Sequence, residues 1–569
     1  MLSARLSRHA DGVIALVIVV FVAVVAGVTA QELGFTRDEG YYFKAGEQAA
    51  AWFRALVSSP MTALSASGID EHLSYNPEHP FLLKGLFGFS LAVSRALGLP
   101  VSGHDAMRLP AWIIAGVAAA VVYALGRTCR LPRPTSLAAA LLFVSLPRVF
   151  FHTHLACFDV GVTAAHAGLV AAYLAWRKTT RGAIVVGALF GLCAATKHNV
   201  LPVPALLVLH WALSELPRTS STPSSSSSSF GSVRLPTVFF ALAFIGPVVY
   251  VALWPYLWPD VVGRFGQYIG FHLRHEHYPI LHMGELLSAP PFPWSFPLVM
   301  WALTIPVAVL AVFTAGAAFA AVVAGRHVSD VWRGRPAADL LRVPLGDVAR
   351  EGQGGAPLML LINAVYPVLL IALPHTPIFG GTKHWMNALP FLCVLGAWAV
   401  HELLARALAR SPRDRAVVIA VVVVALCAAL PGMLISARAA PYGLSTYAEL
   451  AGFARGAANL GEQRTFWGYE IREALPLINE HTARGGRLHP GDVNADSHAR
   501  MQKDGLLRGD IAYSPTVRGS AAAHTEPQGE FKQQQLDVWN EWGVRAPDHV
   551  TDIDGVPLST VTLVPRSGR

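Results

Sequence analysis

The feature that most constrains this chain is a recurrence of apolar runs, each long enough to cross a lipid bilayer. They lie at 12–30, 110–126, 135–151, 158–176, 182–196, 199–213, 236–255, 296–324, 357–374, 386–405 and 416–436. A hydrocarbon core about 30 Å thick needs roughly 20 apolar residues in helical form. Lipid offers no partner to an exposed backbone, so runs of this kind are read as helices. The expected fold is mainly α: a polytopic membrane protein of about eleven transmembrane helices. Composition agrees, with 53% of residues hydrophobic and 14% charged, against about 25% charged in soluble domains. The first run follows Arg5 and Arg8 and ends in Val28-Thr29-Ala30, as a signal peptide would. Its length and the spans behind it favour an uncleaved first helix.

The net charge of +8 would suggest nucleic acid in a soluble protein. Here the basic residues sit in short loops between apolar runs, where they mark the cytoplasmic side. Arg127, Arg130 and Arg133 fall on one side together with Arg177, Lys178 and Arg181, with Arg218 and Arg234, with the loop from Arg326 to Arg350, and with Arg406, Arg410, Arg413 and Arg415. That holds only if a weaker apolar run at 81–98, which carries Lys84 and Arg95, does not cross. It is expected to lie at the outer interface. The external segments are then 31–109, a turn near 152–157, the loop 256–295 and everything after about 437. A Ser-rich tract at 220–229 falls inside and reads as a flexible linker.

Two units follow: a transmembrane domain at 1–436, with 31–109 as its first external loop, and an external C-terminal domain at 437–569. The second has soluble composition. A helix is expected near 470–482, and the short apolar run Ser559–Val564 alternates with polar stretches, so a small α/β domain is expected. The five cysteines form no CxxC pair and none lies beyond Cys427, which argues against a disulfide framework or a cysteine zinc site.

The residues suited to chemistry gather in the outer segments. The first opens with Thr36-Arg37-Asp38-Glu39-Gly40-Tyr41-Tyr42, two adjacent carboxylates just after a membrane helix. A carboxylate held at the surface can take the proton of an attacking hydroxyl. The alternative is a solvated pair that ends a helix. The segment continues to Tyr75-Asn76-Pro77-Glu78-His79-Pro80-Phe81-Leu82-Leu83-Lys84, where an interfacial lysine suits a lipid phosphate or simply snorkels.

These two stretches resemble the protein O-mannosyltransferases, whose first external loop carries an Asp-Glu pair and a His-Pro-Pro-Leu-Gly-Lys motif. This chain has His79-Pro80-Phe81-Leu82-Leu83-Lys84, so Phe81 replaces the second proline and Leu83 the glycine. The bacterial aminoarabinose transferases of lipid A share the plan, and the GT-C membrane glycosyltransferase superfamily is the umbrella. The likeness spans most of 12–436, with its specific motifs in 36–84; Trp467-Gly468-Tyr469-Glu470 is weakly similar to the tail of the bacterial relatives. The resemblance implies a polyprenyl-phosphate sugar as donor, inversion at the sugar, and Asp38 as base; Glu39 beside it is expected to orient its neighbours. It also marks Asp159, in His152-Thr153-His154-Leu155-Ala156-Cys157-Phe158-Asp159, as a second functional aspartate. The alternative for Asp159 is a structural pair with Arg148.

Further residues suit a lipid phosphate. These are Arg37 and His79 beside Lys84; Arg264, Arg274 and His275 in the loop 256–295, whose other edge is Pro290-Pro291-Phe292-Pro293-Trp294; and Lys383 and His384 in the turn Gly380-Gly381-Thr382-Lys383-His384-Trp385. Lys197-His198, between two helices, is a weaker instance. His275-Glu276-His277 hints at a metal, but one His-x-His pair is thin support. No cofactor is required by the expected reaction, and a divalent metal stays open.

The expectation is an enzyme in the bacterial inner membrane, working on its periplasmic face. It would move a sugar from a polyprenyl phosphate to a hydroxyl of a protein, lipid A or a glycan, with no nucleic-acid partner. The rival is a transporter or flippase of a lipid-linked or polar solute. Against it, no internal repeat is evident and the span interiors are mostly aliphatic.

Overall fold

The computed structural model describes residues 2–216, 235–333, 355–412, 414–530 and 532–564. The Ser-rich tract, most of the basic loop that ends at Arg350, and Arg218, Arg234 and Arg413 lie outside them. The chain is a mainly helical, polytopic membrane protein with a small C-terminal sheet.

Every apolar run is helical, but the runs are not all single long spans. Among the described residues six helices are long and apolar enough to cross a membrane: His9–Thr29, Gly103–Thr128, Val307–Trp332, Gly355–Ala372, Met386–Ala407 and Arg415–Ala439. Arg133–Val144, Thr180–Ala194, His198–Ser214 and Thr237–Ala252 are apolar but shorter. Proline accounts for much of the shortening. The run 296–324 is two helices, Phe296–Thr304 and Val307–Trp332, because Ile305 precedes Pro306 and takes an extended backbone, φ −98° and ψ 129°. Proline crowds the residue before it out of the helical region. The run 135–151 breaks in the same way before Pro147.

The weaker run forms the helix Phe81–Ala96. Leu83, Phe87 and Leu91 are buried on one face, while Leu86, Phe89 and Val93 are exposed on another. A helix apolar on both faces, with one lysine drawn inward, fits a position at the membrane boundary.

Without a hydrophobic force between helices in lipid, close packing holds the bundle together. The helix Gly103–Thr128 approaches the first helix at Gly116, where a Cβ would overlap the Val19 carbonyl. Gly191 meets Gly246 in the same manner.

The C-terminal segment builds a five-stranded sheet in the order Ala512–Tyr513, Arg487–His489, Ala522–Thr525, Val556–Leu563, His549–Ile553. The first three strands are parallel and the last two antiparallel to their neighbours. The expected helix is Ile471–His481, and the expected apolar run lies in the strand Val556–Leu563. This sheet is not hung on a tether. One buried cluster joins Phe35, Phe43 and Phe87 of the first external segment, Phe151 and Phe158 of the next outer turn, and Trp467, Tyr469, Leu488 and Val561 of the C-terminal segment. The hairpin Ile280–His282/Glu285–Leu287 joins the same body, with Leu281 N–H donating to Gln463 Oε1 at 3.0 Å and Gln463 N–H to the Leu281 carbonyl at 3.1 Å.

Topology is testable at exposed positions. In a cysteine-free background, cysteine at Ser74 or Thr516 is expected to react with an impermeant thiol reagent on intact spheroplasts. Cysteine at Lys178 is expected to react only after lysis. Protection of position 516 until lysis overturns the orientation.

Candidate active site

Thr36-Arg37-Asp38-Glu39 is a capping box. Thr36 accepts from the Glu39 N–H and the Glu39 carboxylate accepts from the Thr36 N–H, which starts the helix Arg37–Ser58. The two acidic residues then diverge. Glu39 turns inward and is fully buried. Its oxygens accept from Arg108 Nε at 2.8 Å and Nη2 at 2.7 Å, and from the Ala156 N–H at 2.9 Å. Every lone pair that geometry allows is committed to the protein, so Glu39 orients its surroundings and does not face a substrate.

Asp38 turns the other way, its side chain one-fifth exposed, and meets Lys383 Nζ at 2.9 Å. Burial alone would raise the Asp38 pKa, but Lys383 and Arg37 outweigh it and hold the carboxyl below the usual carboxylate range. Asp159 stands near enough to oppose that lowering. Asp159 itself is 4% exposed and pairs with Lys197 Nζ at 2.7 Å, with His152 Nδ1 at 3.9 Å. The pairing with Arg148 does not occur. Arg148 Nε donates to the Thr446 carbonyl at 3.1 Å and its guanidinium lies 4.8 Å from the Tyr447 ring. Two carboxylates, each on its own lysine, therefore stand close enough to feel each other's charge.

A basic wall adjoins them. Lys84 is 4% exposed and donates to the Asn76 carbonyl at 2.6 Å. Burial pushes its pKa down to about 7, opposed by Glu78. His79 stands 3.3 Å from the Tyr42 hydroxyl, and the charges of Lys197 and Lys84 both reach it. His272 donates through Nε2 to the Glu78 carbonyl at 3.0 Å and faces His198 ring to ring at 3.6 Å. Burial holds His272 neutral, with its pKa lowered to about 4. Among the side-chain nitrogens here, those of His79 and His198 at Nδ1 are buried without a partner.

The sequence candidates thus divide. Asp38, Asp159, His79, Lys84 and Lys383 come together. Arg37 flanks them, its guanidinium 5.1 Å from the Tyr278 ring. His384 bonds the Phe379 carbonyl, and Phe379 also carries Lys383 at 5.3 Å and the ring of His275 at 5.2 Å. Arg264 is elsewhere, paired with Asp70 at 2.7 Å, and Arg274 is exposed and folded back on Gly270. Among the described residues no group of three or more His, Cys, Asp or Glu has the arrangement of a metal site.

Lys197 and His198, a weaker instance in the sequence, and His272, which the sequence did not single out, join this cluster in the structure. A signal for the first was present. Lys197 falls on an outer turn between two apolar runs, against the bias of basic residues to the inside. Lys383 has the same signature.

No family model matches the chain, and no curated protein matches it in sequence. Among solved structures, ArnT from Cupriavidus metallidurans in the apo state is 15% identical, over 96% of this chain and 97% of that one, with a TM-score of 0.49. The same protein bound to undecaprenyl phosphate gives 14%, 96%, 97% and 0.47. The oligosaccharyltransferase of Archaeoglobus fulgidus in its apo form gives 14%, over 82% of this chain and 58% of that one, with 0.44. These are likenesses in overall shape, and neither the reaction nor the site of those proteins follows for this chain from them.

The divergence of the acidic pair predicts different failures. Glu39→Gln breaks a buried ion pair and is expected to cost about 3–5 kcal/mol of stability, read as loss of folded protein on size exclusion in detergent. Asp38→Asn, at a partly exposed carboxylate whose amide oxygen can still accept from Lys383, is expected to cost clearly less stability than Glu39→Gln. Equal stability of the two variants overturns the assignment.

Proposed function

We propose that this protein is a membrane glycosyltransferase that moves a sugar from a polyprenyl-phosphate donor to an acceptor hydroxyl at the outer face of a bacterial inner membrane. The observation that carries the reading is one cluster of paired charges and imidazoles. Two carboxylates are each held by a lysine from an outer helix turn, beside a wall of Lys84, His79, His198 and His272. A site of this kind offers a base and an anion receptor at the membrane boundary. The likeness of Asp38-Glu39 and His79-Pro80…Lys84 to the O-mannosyltransferase motifs supports the same reading.

In the proposed reaction the acceptor hydroxyl gives its proton to Asp38 as its oxygen bonds to the anomeric carbon. The bond from that carbon to the phosphate oxygen breaks on the opposite face, with inversion, and the lipid phosphate leaves with the electron pair. Cationic groups that neutralise the departing phosphate lower the barrier, so no acid is needed at the leaving group. Lys84 and the histidine wall hold that phosphate. Asp159, locked to Lys197, orients the sugar and fixes the lysine near the developing charge. The acceptor is a protein, lipid A or a glycan.

The purified protein in detergent is expected to release sugar from at least one member of a panel of radiolabelled polyprenyl-phosphate sugars. Asp38→Asn is expected to lower the rate about 10²–10⁴-fold. A transporter has no reaction to lose in detergent. No release across the panel, with solute movement in proteoliposomes, overturns the reading.

The pH dependence carries a second expectation. Lys84 must be charged to hold phosphate, and its pKa in the free protein is about 7. Donor binding above that pH has to take up a proton, so the KM for donor is expected to rise as pH rises past 7. Lys84→Arg, charged at every accessible pH, is expected to flatten that rise even if its planar head lowers the rate. An equal slope in wild type and Lys84→Arg removes Lys84 from phosphate binding.

A further inference from the structure

The Asp38–Lys383 pair has a third member that comes from the C-terminal segment. Trp467 is 3% exposed, and its indole lies 4.5 Å from the Lys383 ammonium. Phe379 lies 5.3 Å from the same ammonium. Lys383 is therefore flanked by two aromatic rings while it bonds the Asp38 carboxylate at 2.9 Å. The Trp467 carbonyl also accepts the Arg37 N–H at 3.0 Å, on the residue that begins the Asp38 helix. One residue thus touches both sides of the pair.

The backbone is bent to make this contact. Trp467 has φ +71°, a left-handed conformation that is a true outlier for a bulky side chain. Gly380, across the lysine, has φ +78°, and a Cβ there would lie 2.5 Å from Lys383 Cε and 3.0 Å from the Trp467 ring. Strain of this kind persists where surrounding structure enforces it, and it clusters at functional sites.

We infer that the C-terminal segment completes the catalytic cluster through Trp467, a positioning residue whose indole holds the Lys383 ammonium on Asp38 and so governs when that carboxylate is released to take the acceptor's proton. The inference rests on the glycosyltransferase reading for its consequence in catalysis, but the contact itself is tested without turnover. A desolvated cation on an indole face is worth enough that its loss changes an equilibrium about tenfold.

The test uses the full-length protein in detergent, as wild type, Trp467→Leu and Trp467→Phe. In the first arm a water-soluble amine-acylating reagent labels lysines, and peptide mass spectrometry reads Lys383 against the exposed Lys178. Trp467→Leu is expected to raise Lys383 labelling about tenfold, with Trp467→Phe close to wild type. In the second arm donor consumption is followed against pH. Loosening Lys383 removes the charge that keeps Asp38 ionised at low pH. The acid limb of kcat/KM is therefore expected to move to higher pH in Trp467→Leu and to return toward wild type in Trp467→Phe. Damage to folding alone lowers the active fraction without moving that limb. If Trp467→Leu does not fold, Gly380→Ala presses on the same contact from the other side and is expected to move both readouts in the same direction. Unchanged Lys383 labelling and an unmoved acid limb in a folded variant overturn the inference. A wild type that consumes no lipid-phosphate sugar overturns the glycosyltransferase reading instead, and the labelling arm still decides the role of Trp467.

Discussion

The ion pair of Glu39 with Arg108 is the constraint on which the half of this molecule around the C-terminal sheet depends. Both side chains are fully buried. Arg108 also donates to the Gly34 carbonyl at 2.7 Å, and Glu39 also accepts from the Ala156 N–H. The pair therefore ties together the exit of the first helix, the start of the helix Arg37–Ser58, the head of the helix Gly103–Thr128 and the turn that leads to Asp159. A buried pair of this kind adds little net stability over an apolar substitute, but removal of one partner strands a charge in a dry interior. What it supplies is position. With Glu39 fixed, its neighbour Asp38 projects from the opposite side of the helix start toward Lys383.

Charge in the cluster is arranged to be reassigned. Asp38 and Asp159 are each neutralised by a lysine, and burial keeps His272 uncharged. In that state the excess of basic groups costs little, because few of them carry charge without a partner. A phosphate changes the balance, since it favours protonation of the imidazoles and of Lys84 and competes for the lysines. In the proposed reaction, binding of an anionic donor and release of a carboxylate are linked through these shared cations.

The C-terminal sheet takes part in this arrangement. Its buried residues continue the cluster of the first external segment, and Trp467 reaches the lysine of the Asp38 pair. The hairpin within the loop 256–295 is anchored on Gln463 and Glu462, while His272, in the preceding helix, is held by the Glu78 carbonyl. Segments from both ends of the chain therefore meet at the Asp38–Lys383 pair.

Much of this was legible in the sequence by itself. Apolar runs fix helices in lipid because the backbone has no other partner there, and the side taken by arginines separates inner loops from outer ones. The weaker run at 81–98 was legible as an interfacial helix, whereas the break before Pro306 and the cap at Thr36 emerged only in the structure, although the proline and the Thr36…Glu39 spacing stand in the sequence. Local grammar also marked Asp38, Lys84 and Lys383 as polar groups at outer ends of helices. Pairing was not legible, because it depends on distance between segments hundreds of residues apart. The sequence sets Asp38 and Glu39 side by side, and only their directions from one helix turn make one a buried anchor on Arg108 and the other a partly exposed carboxylate on Lys383. It suggests Arg148 as the partner of Asp159, but packing gives Asp159 to Lys197 while Arg148 goes to Thr446 and Tyr447. Arg264 reads as a phosphate ligand until Asp70 takes it. Local chemistry determined the helices, their caps and the residues that stand at the membrane surface; the tertiary structure decided which of those charges meet, because in a low-dielectric interior a few ångströms separate a partner from a stranger.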